Sequence, residues 1–269
     1  MIYTDQLNRV VALPKLPKRI ISLVPSQTEL LYYLGLEEEV AGITKFCVHP
    51  EHWFRNKTRV GGTKTVKIDL VNALQPDLIL ANKEENTKEQ IEELEKTAPV
   101  WISDVANRED AFRMIQSVGE MTGKEQNAAA LISHLRTDFR ELEVLTKQVL
   151  NKRYRTAYLI WKDPYMTVGG DTFISDILAS AGLENICEDM TRYPVITLAE
   201  LNARNTELVL LSTEPYPFKQ KHIAELQEAL PHKKILLADG EIFSWYGSRM
   251  LQVLPYARRL MDQIVYEKS

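Results

Sequence analysis

The stretch K124-EQNAAALISHLRTDFRELEVLTKQVL-N151 has neither Gly nor Pro over 28 residues. Its apolar side chains fall at Ala128, Leu131, Ile132, Leu135, Phe139, Leu142, Leu145 and Val149. That is the spacing of one helix face. At 1.5 Å per residue the helix would be about 40 Å long, roughly the span of a small domain. It reads either as a stiff connector between two lobes or as a long core helix. What lies on each side of it decides between the two.

Upstream, short apolar runs end at turn-type residues: 20–24, 40–44, 78–81 and 100–103. Downstream the same pattern resumes at 156–161, 208–211 and 235–238. Segments with helical spacing alternate with them: 26–34 before the long helix, and 171–181, 198–204, 219–230 and 247–265 after it. In the first, Ser26 is the expected N-cap, with Glu29 completing a capping box and Gly35 ending the helix. Strands alternating with helices imply parallel sheets covered by helices. IDLVNALQPDLILA (68–81) also resembles LAELNARNTELVLL (198–211) at an offset of 130 residues, and Glu84 corresponds to Glu214 at the same offset. A repeated helix-then-strand unit on both sides favours two similar lobes with a connecting helix. The expected organisation is an N-terminal α/β lobe over 1–123, the backbone helix over 124–151, and a C-terminal α/β lobe over 152–269.

Composition restricts the function. With 269 residues, 45% hydrophobic and 26% charged, the chain is ordinary globular material. Its 33 basic and 37 acidic residues give a net charge of -4, which argues against a general nucleic-acid binder. Cys47 and Cys187 are too few for a disulfide framework and read as two buried thiols or one bridge. No apolar run approaches the ~18 residues of a membrane span. Asp5, Asn8, Arg9, Lys15 and Lys18 interrupt the opening segment, so it does not read as a secretory signal. As written, the chain is expected to be cytoplasmic, or periplasmic or lipid-anchored if a leader was removed.

Two α/β lobes joined by a stiff helix would leave a cleft, and ligands of open α/β sheets bind beyond the carboxyl ends of the strands. The segments there are 25–28, 45–52, 82–86, 161–165, 212–218 and 239–249. They hold Phe46, Trp161, Tyr165, Tyr216, Phe218, Phe243, Trp245 and Tyr246. Large planar side chains with a few polar tips suit a planar or bulky ligand, or else fix loops to the lobes. His49 and His52, joined by Glu241 or Asp239, are the one candidate set for a bare zinc or manganese ion, and otherwise a solvated pair. Arg249 reads as an anion contact or a structural ion pair. Lys83, Glu84 and Glu85 are a charged rim or the start of the next helix. No phosphate loop, G-x-S-x-G elbow or paired nucleophile and base is present, so an enzyme is not expected.

RIISLVPSQTELLYYLGL (19–36), VAGITKFCVHP (40–50), VGGTK (60–64), LQPDLILANKEEN (74–86) and WYGSR (245–249) resemble the class III solute-binding proteins, the helical-backbone receptors of ABC importers. The nearest branch resembles the vitamin B12-binding proteins; others bind haem, ferric siderophores, or bare zinc and manganese. The resemblance implies two Rossmann-like lobes with parallel sheets on one long backbone helix. It also implies a monomer that binds a metal chelate, has no intrinsic cofactor, and delivers its ligand to an ABC permease. By resemblance, Phe46, Trp161, Tyr193 and Phe243 are aromatic ligand contacts and Glu241 is the acidic one; the strand-end reading adds Trp245 and Arg249 to the candidate ligand residues. Thr63 and Asn82 occupy positions where the B12 proteins carry tryptophan, so half of the aromatic cage differs. Permease docking would use Asp69 on one lobe and, on the other, Glu200, next to the matching position Ala199. Other readings are a cytoplasmic sensor or carrier without an importer, and a corrinoid- or chelate-modifying enzyme.

Overall fold

The computed structural model describes residues 1–266. Its chain forms two compact units, one of Met1–Val105, Glu109–His134 and Tyr246–Arg249, the other of Ala106–Arg108, Leu135–Trp245 and the chain from Met250 onward.

The first unit opens with the antiparallel strands β1 (Ile2–Thr4) and β2 (Val10–Ala12). There follow β3 (Ile20–Ser22), α1 (Pro25–Tyr33), β4 (Val40–Ile43), α2 (Glu51–Asn56), β5 (Thr58–Arg59), the small hairpin β6 (Gly61–Gly62) and β7 (Thr65–Val66), α3 (Ile68–Leu74), β8 (Leu78–Asn82), α4 (Lys88–Leu94) and β9 (Val100–Ser103). Its main sheet has the order β5-β4-β3-β8-β9, with every neighbouring pair parallel. β8 is buried along its whole length, as a parallel strand covered on both faces should be. Ile21, Leu23, Val71, Ile79 and Leu94 form its core.

Two helices follow, α5 (Arg108–Thr122) and α6 (Glu125–Val149). α6 is the long helix expected from its periodicity, about 37 Å over 25 residues. Ala128, Leu131, Leu135, Phe139 and Leu142 are its buried stripe, at spacings of three and four. It runs unbroken from the first unit into the second, the division falling between His134 and Leu135.

The second unit continues with β10 (Tyr154–Leu159), α7 (Phe173–Ser180), β11 (Leu183–Asn185), α8 (Leu198–Ala203), β12 (Leu208–Ser212), α9 (Gln220–Ala229), β13 (Lys234–Ala238), α10 (Gly240–Ser244) and, after a 3-10 turn at Ser248–Gln252, α11 (Val253–Tyr266). Its sheet, of order β11-β10-β12-β13, is also parallel throughout. The core joins Ala157, Leu159, Val209, Leu211 and Ile235 to Leu226 of α9.

The 130-residue echo is structural. α3 and β8 of the first unit correspond to α8 and β12 of the second. Both strands end in a residue whose side chain receives the backbone N–H of the glutamate two positions on. Asn82 Oδ1 accepts from Glu84 at 2.9 Å, and Ser212 Oγ accepts from Glu214 at 3.4 Å.

One expectation is corrected. Ser26 is not the N-cap of α1: the cap is Val24, with Pro25 in the first turn and no side-chain cap bond. Proline presets the helical φ and needs no N–H partner there, so it starts the helix upstream of Ser26. Glu29 is thereby freed from capping and pairs with Arg249. Gly35 does end the helix, at φ +77°, a conformation that costs glycine little.

Candidate functional site

In the first unit, the carboxyl ends of β4 and β8 and the β6–β7 hairpin bring three expected residues to one edge. Phe46 is 50% exposed, with the Lys45 ammonium 4.9 Å from its ring centre. Its neighbour Cys47 points inward and is fully buried. The Cys47 sulfur lies 3.0 Å from the Thr28 hydroxyl and 3.2 Å from that of Thr44, and burial pushes its thiol up to about 11. One residue anchors the loop and the next is presented. The ring edge of Phe46 lies against Gly62, next to Thr63 on the hairpin. The Thr63 carbonyl accepts from Asn86 Nδ2 at 2.8 Å, and Asn86 Oδ1 in turn accepts the backbone N–H of Asn82 at 2.9 Å.

Asn82 itself is buried. Its amide donates to Ser103 O and Oγ at 3.1 and 3.0 Å, and its Oδ1 receives the N–H groups of Glu84 and Glu85. Both ends of the side chain are occupied in building the turn.

In the second unit, the ends of β10, β12 and β13 carry Trp161, Glu214 and Glu241. Trp161 is 40% exposed and meets Tyr216 edge-on, with ring centres 5.6 Å apart. Tyr193 is 37% exposed, next to Pro194, whose carbonyl accepts from the Thr167 N–H at 2.9 Å. Glu241 lies in the first turn of α10, whose cap is the Asp239 carboxylate. Phe243 is not at the surface. It is 2% exposed, with Tyr158 and Tyr256 rings at 5.1 and 5.9 Å. In a five-residue helix, its position faces the sheet and not solvent.

Trp245 is also buried. Its indole N–H donates to Glu214 Oε1 at 2.8 Å, and Ser244 Oγ donates to the same oxygen at 3.1 Å. Glu214 is a residue that the motif reading passed over, although its match to Glu84 at the 130-residue offset marked it. Burial, with Glu241 and Asp239 close by, raises its carboxyl above the usual range. Gly240 makes this crowding feasible: a Cβ there would come within 2.4 Å of Glu214 Cγ and 2.7 Å of Ser212 Oγ.

The remaining expected residues have structural partners. The Arg249 guanidinium Nε donates to Glu29 Oε2 at 2.9 Å, and both side chains are mostly covered. His49 and His52 do not share a helical turn: Pro50 caps α2, so His49 lies before the helix and His52 within it. His52 Nε2 is 3.4 Å from Glu37, and its ring is edge-on to Tyr32. Among the described residues no group of three or more His, Cys, Asp and Glu is arranged to hold a metal ion. Asp69 is exposed in the first turn of α3. Glu200 is exposed too, but it closes a capping box on α8: its Oε2 accepts from the Thr197 N–H at 2.7 Å. That bond, with the Thr197 hydroxyl, holds the Glu200 carboxyl below its usual range. Cys47 and Cys187 are both free and buried.

Two parallel α/β units with one long helix continuous between them define the helical-backbone, class III receptor fold. The chain belongs to the periplasmic binding protein family, whose match covers residues 20–239. It is 24% identical over 259 residues to an uncharacterized ABC transporter substrate-binding lipoprotein of Bacillus subtilis, covering 92% of this chain and 81% of that one. Against the vitamin B12-binding protein of Vibrio campbellii it is 26% identical over 199 residues, covering 72% and 70%. Among solved structures, the periplasmic vitamin B12-binding protein of Vibrio cholerae superposes with a TM-score of 0.78 at 18% identity, over 95% of this chain and 100% of that one. A periplasmic haem-binding protein in complex with two haems gives a TM-score of 0.80 at 21% identity, over 91% and 98%. At such identities the structures establish the shared fold. No helix among the described residues is long and apolar enough to cross a membrane.

Proposed function

We propose that this chain is the substrate-binding component of an ABC importer. Its ligand is a metal chelate: cobalamin or another corrinoid, haem, or a ferric siderophore. The observation that carries this reading is the exposure of Phe46 and Trp161, each at the carboxyl end of a parallel strand in its own unit. A half-exposed aromatic at a strand end leaves an unpaid desolvation gain that a planar or bulky ligand collects. Relatives named for vitamin B12 and haem support the ligand class. Tyr193 and Glu241 complete the contacts on the second unit, and Thr63 does so on the first. Asn82, Phe243 and Trp245 hold these surfaces from behind, and Arg249 secures α1 through Glu29.

The chelate is cargo and not a cofactor, and the protein is a receptor and not an enzyme. Asp69 is the docking residue for a permease arginine, and Glu200 is its counterpart on the second unit. Because its carboxylate is shared with Thr197, Glu200 contributes less than Asp69. The protein works outside the cytoplasmic membrane, as a lipoprotein or a periplasmic protein, in line with the lipoprotein relative.

The test is a tryptophan-fluorescence titration with cobalamin, cobinamide, haem, a ferric siderophore, zinc and manganese. Saturable quenching by one chelate is expected, weakened at least tenfold in Trp161→Ala and in Phe46→Ala, the scale of losing about 1.4 kcal/mol of aromatic contact. Absence of both quenching and binding heat across the panel overturns the proposal. Saturation by a bare metal ion alone would replace the chelate reading with metal reception.

A further inference from the structure

Behind the Trp161 surface lies a buried histidine that no step of the proposed function has used. His222 is the third residue of α9 and is 4% exposed. Its Nδ1 accepts the backbone N–H of Lys219 at 2.8 Å. A glutamate or glutamine side chain at this helix position commonly accepts that N–H. Here an imidazole does so, and a ring nitrogen that accepts a hydrogen bond carries no proton. The ring therefore has to be neutral, with its hydrogen on Nε2.

The same ring supports the aromatic side chains in front of it. Tyr216 and Phe218 lie 5.6 and 5.5 Å from it, centre to centre, and 4.7 Å from each other. Tyr216 in turn meets Trp161 at 5.6 Å. One ring thus separates the titratable imidazole from the exposed indole.

We propose that His222 is a positioning residue for the Trp161–Tyr216 surface and that it positions that surface only as the neutral imidazole. This rests on the reading of Trp161 as a ligand contact. A proton on Nδ1 would face the Lys219 N–H donor, break the cap, and place a charge against the positive end of α9. Burial opposes protonation most, and three lysines around the ring add to it. Lys221 lies on its own helix, Lys219 caps that helix, and Lys162 comes from the segment after β10; Tyr216, from the segment after β12, also faces the ring. Glu225 is an acidic neighbour whose charge favours the proton, and it is paired with Lys162. Burial first, with these lysines, outweighs the Glu225 charge and holds the imidazole below its ordinary value. The folded protein therefore takes up this proton at lower pH than the unfolded chain. The surface is ordered at neutral pH and loosens as pH falls below the ordinary histidine value of about 6.5.

The experiment uses the full chain and begins without ligand. Near-UV circular dichroism is followed from pH 7.5 to 4.5 in the wild type, Trp161→Phe, His222→Gln and His222→Phe. A reversible one-proton change with a midpoint below 6.5 is expected in the wild type. It should be absent from both His222 variants, neither of which titrates, and reduced in Trp161→Phe, which removes the reporter. Cyanocobalamin and haem are then titrated at the two ends of the range. Affinity for the bound probe should fall about fivefold with acid in the wild type, the scale of losing one helix cap, and stay flat in His222→Gln. A nitrogen-detected NMR titration of the wild-type ring reports the tautomer directly and needs no variant to fold.

A wild-type profile reproduced by His222→Gln, or an Nδ1–H tautomer at pH 7.5, overturns the inference. A ligand-free transition that depends on His222 and Trp161, together with binding unaffected by Trp161→Ala, leaves the coupling standing and removes the ligand surface. The two failures are thus distinguishable.

Discussion

At the residue scale, the candidate surfaces consist of a few exposed side chains and the buried groups that orient them. The sequence distinguished these poorly. Phe46 and Phe243 both follow strands, yet one is half exposed and the other lies between Tyr158 and Tyr256. Phe46 lies in the loop between β4 and α2, whereas Phe243 lies within α10, and a strand end in the sequence does not tell the two apart. Arg249 was ambiguous for a similar reason: its partner Glu29 is 220 residues away, and local spacing carries no such information. Glu214 gives the clearest test at this scale. Its raised carboxyl means that the folded protein binds this proton more readily than the unfolded chain does. Stability from this group is present at low pH and declines as pH rises through the unfolded value and then levels above the folded one. Glu214→Gln keeps an acceptor for Trp245 and Ser244 and removes the charge. The variant should therefore melt above the wild type at pH 8, with the gap closing by pH 4. A gap that is constant with pH would assign the raised carboxyl no thermodynamic role.

At the element scale, parallel strands and the long helix were legible because burial on both faces writes a continuous apolar run, and a helix stripe writes a regular one. The strand expected at 100–103 is β9, and α6 lies within 124–151. Less visible were β11, of three residues, and the two-residue strands β5, β6 and β7, which are too short to show a period. α5 has a well-defined buried side, with Ala111, Met114, Ile115 and Val118 on it, yet no strand alternation or cap in the sequence marks it out. The α5–α6 crossing has its own requirement. A Cβ at Gly119 would lie 2.5 Å from the Cβ of buried Ala128. Alanine there gains about 1 kcal/mol of helix propensity over glycine. Overpacking against a fixed backbone costs about 1–3 kcal/mol. Gly119→Ala is therefore expected to destabilise by up to about 2 kcal/mol, seen as a lower urea midpoint at unchanged slope. A raised midpoint would mean that the helices separate easily at this crossing.

At the scale of the whole molecule, each unit has its own parallel sheet and core, and the 130-residue echo ties β8 to β12 through matching turns. Because stability resides in these cores, exposed strand-end aromatics can be removed at little structural cost, typically within about 0.5 kcal/mol. Ligand-linked stability works differently. Any chelate that binds the native state alone, at a hundred times its dissociation constant, adds about 2.7 kcal/mol. For a chain of this size that should raise the melting midpoint by about 5–10 °C, since each kcal/mol is worth about 2–4 °C. Phe46→Ala should melt within about 2 °C of the wild type without ligand and show a much smaller ligand-induced rise at the same ligand concentration. Calorimetry of both proteins, with and without the chelate selected by fluorescence, measures the two quantities together. A Phe46→Ala protein with the full ligand-induced rise would take the first unit's edge out of the binding surface. A variant that melts far below the wild type would make Phe46 part of the fold, despite its exposure.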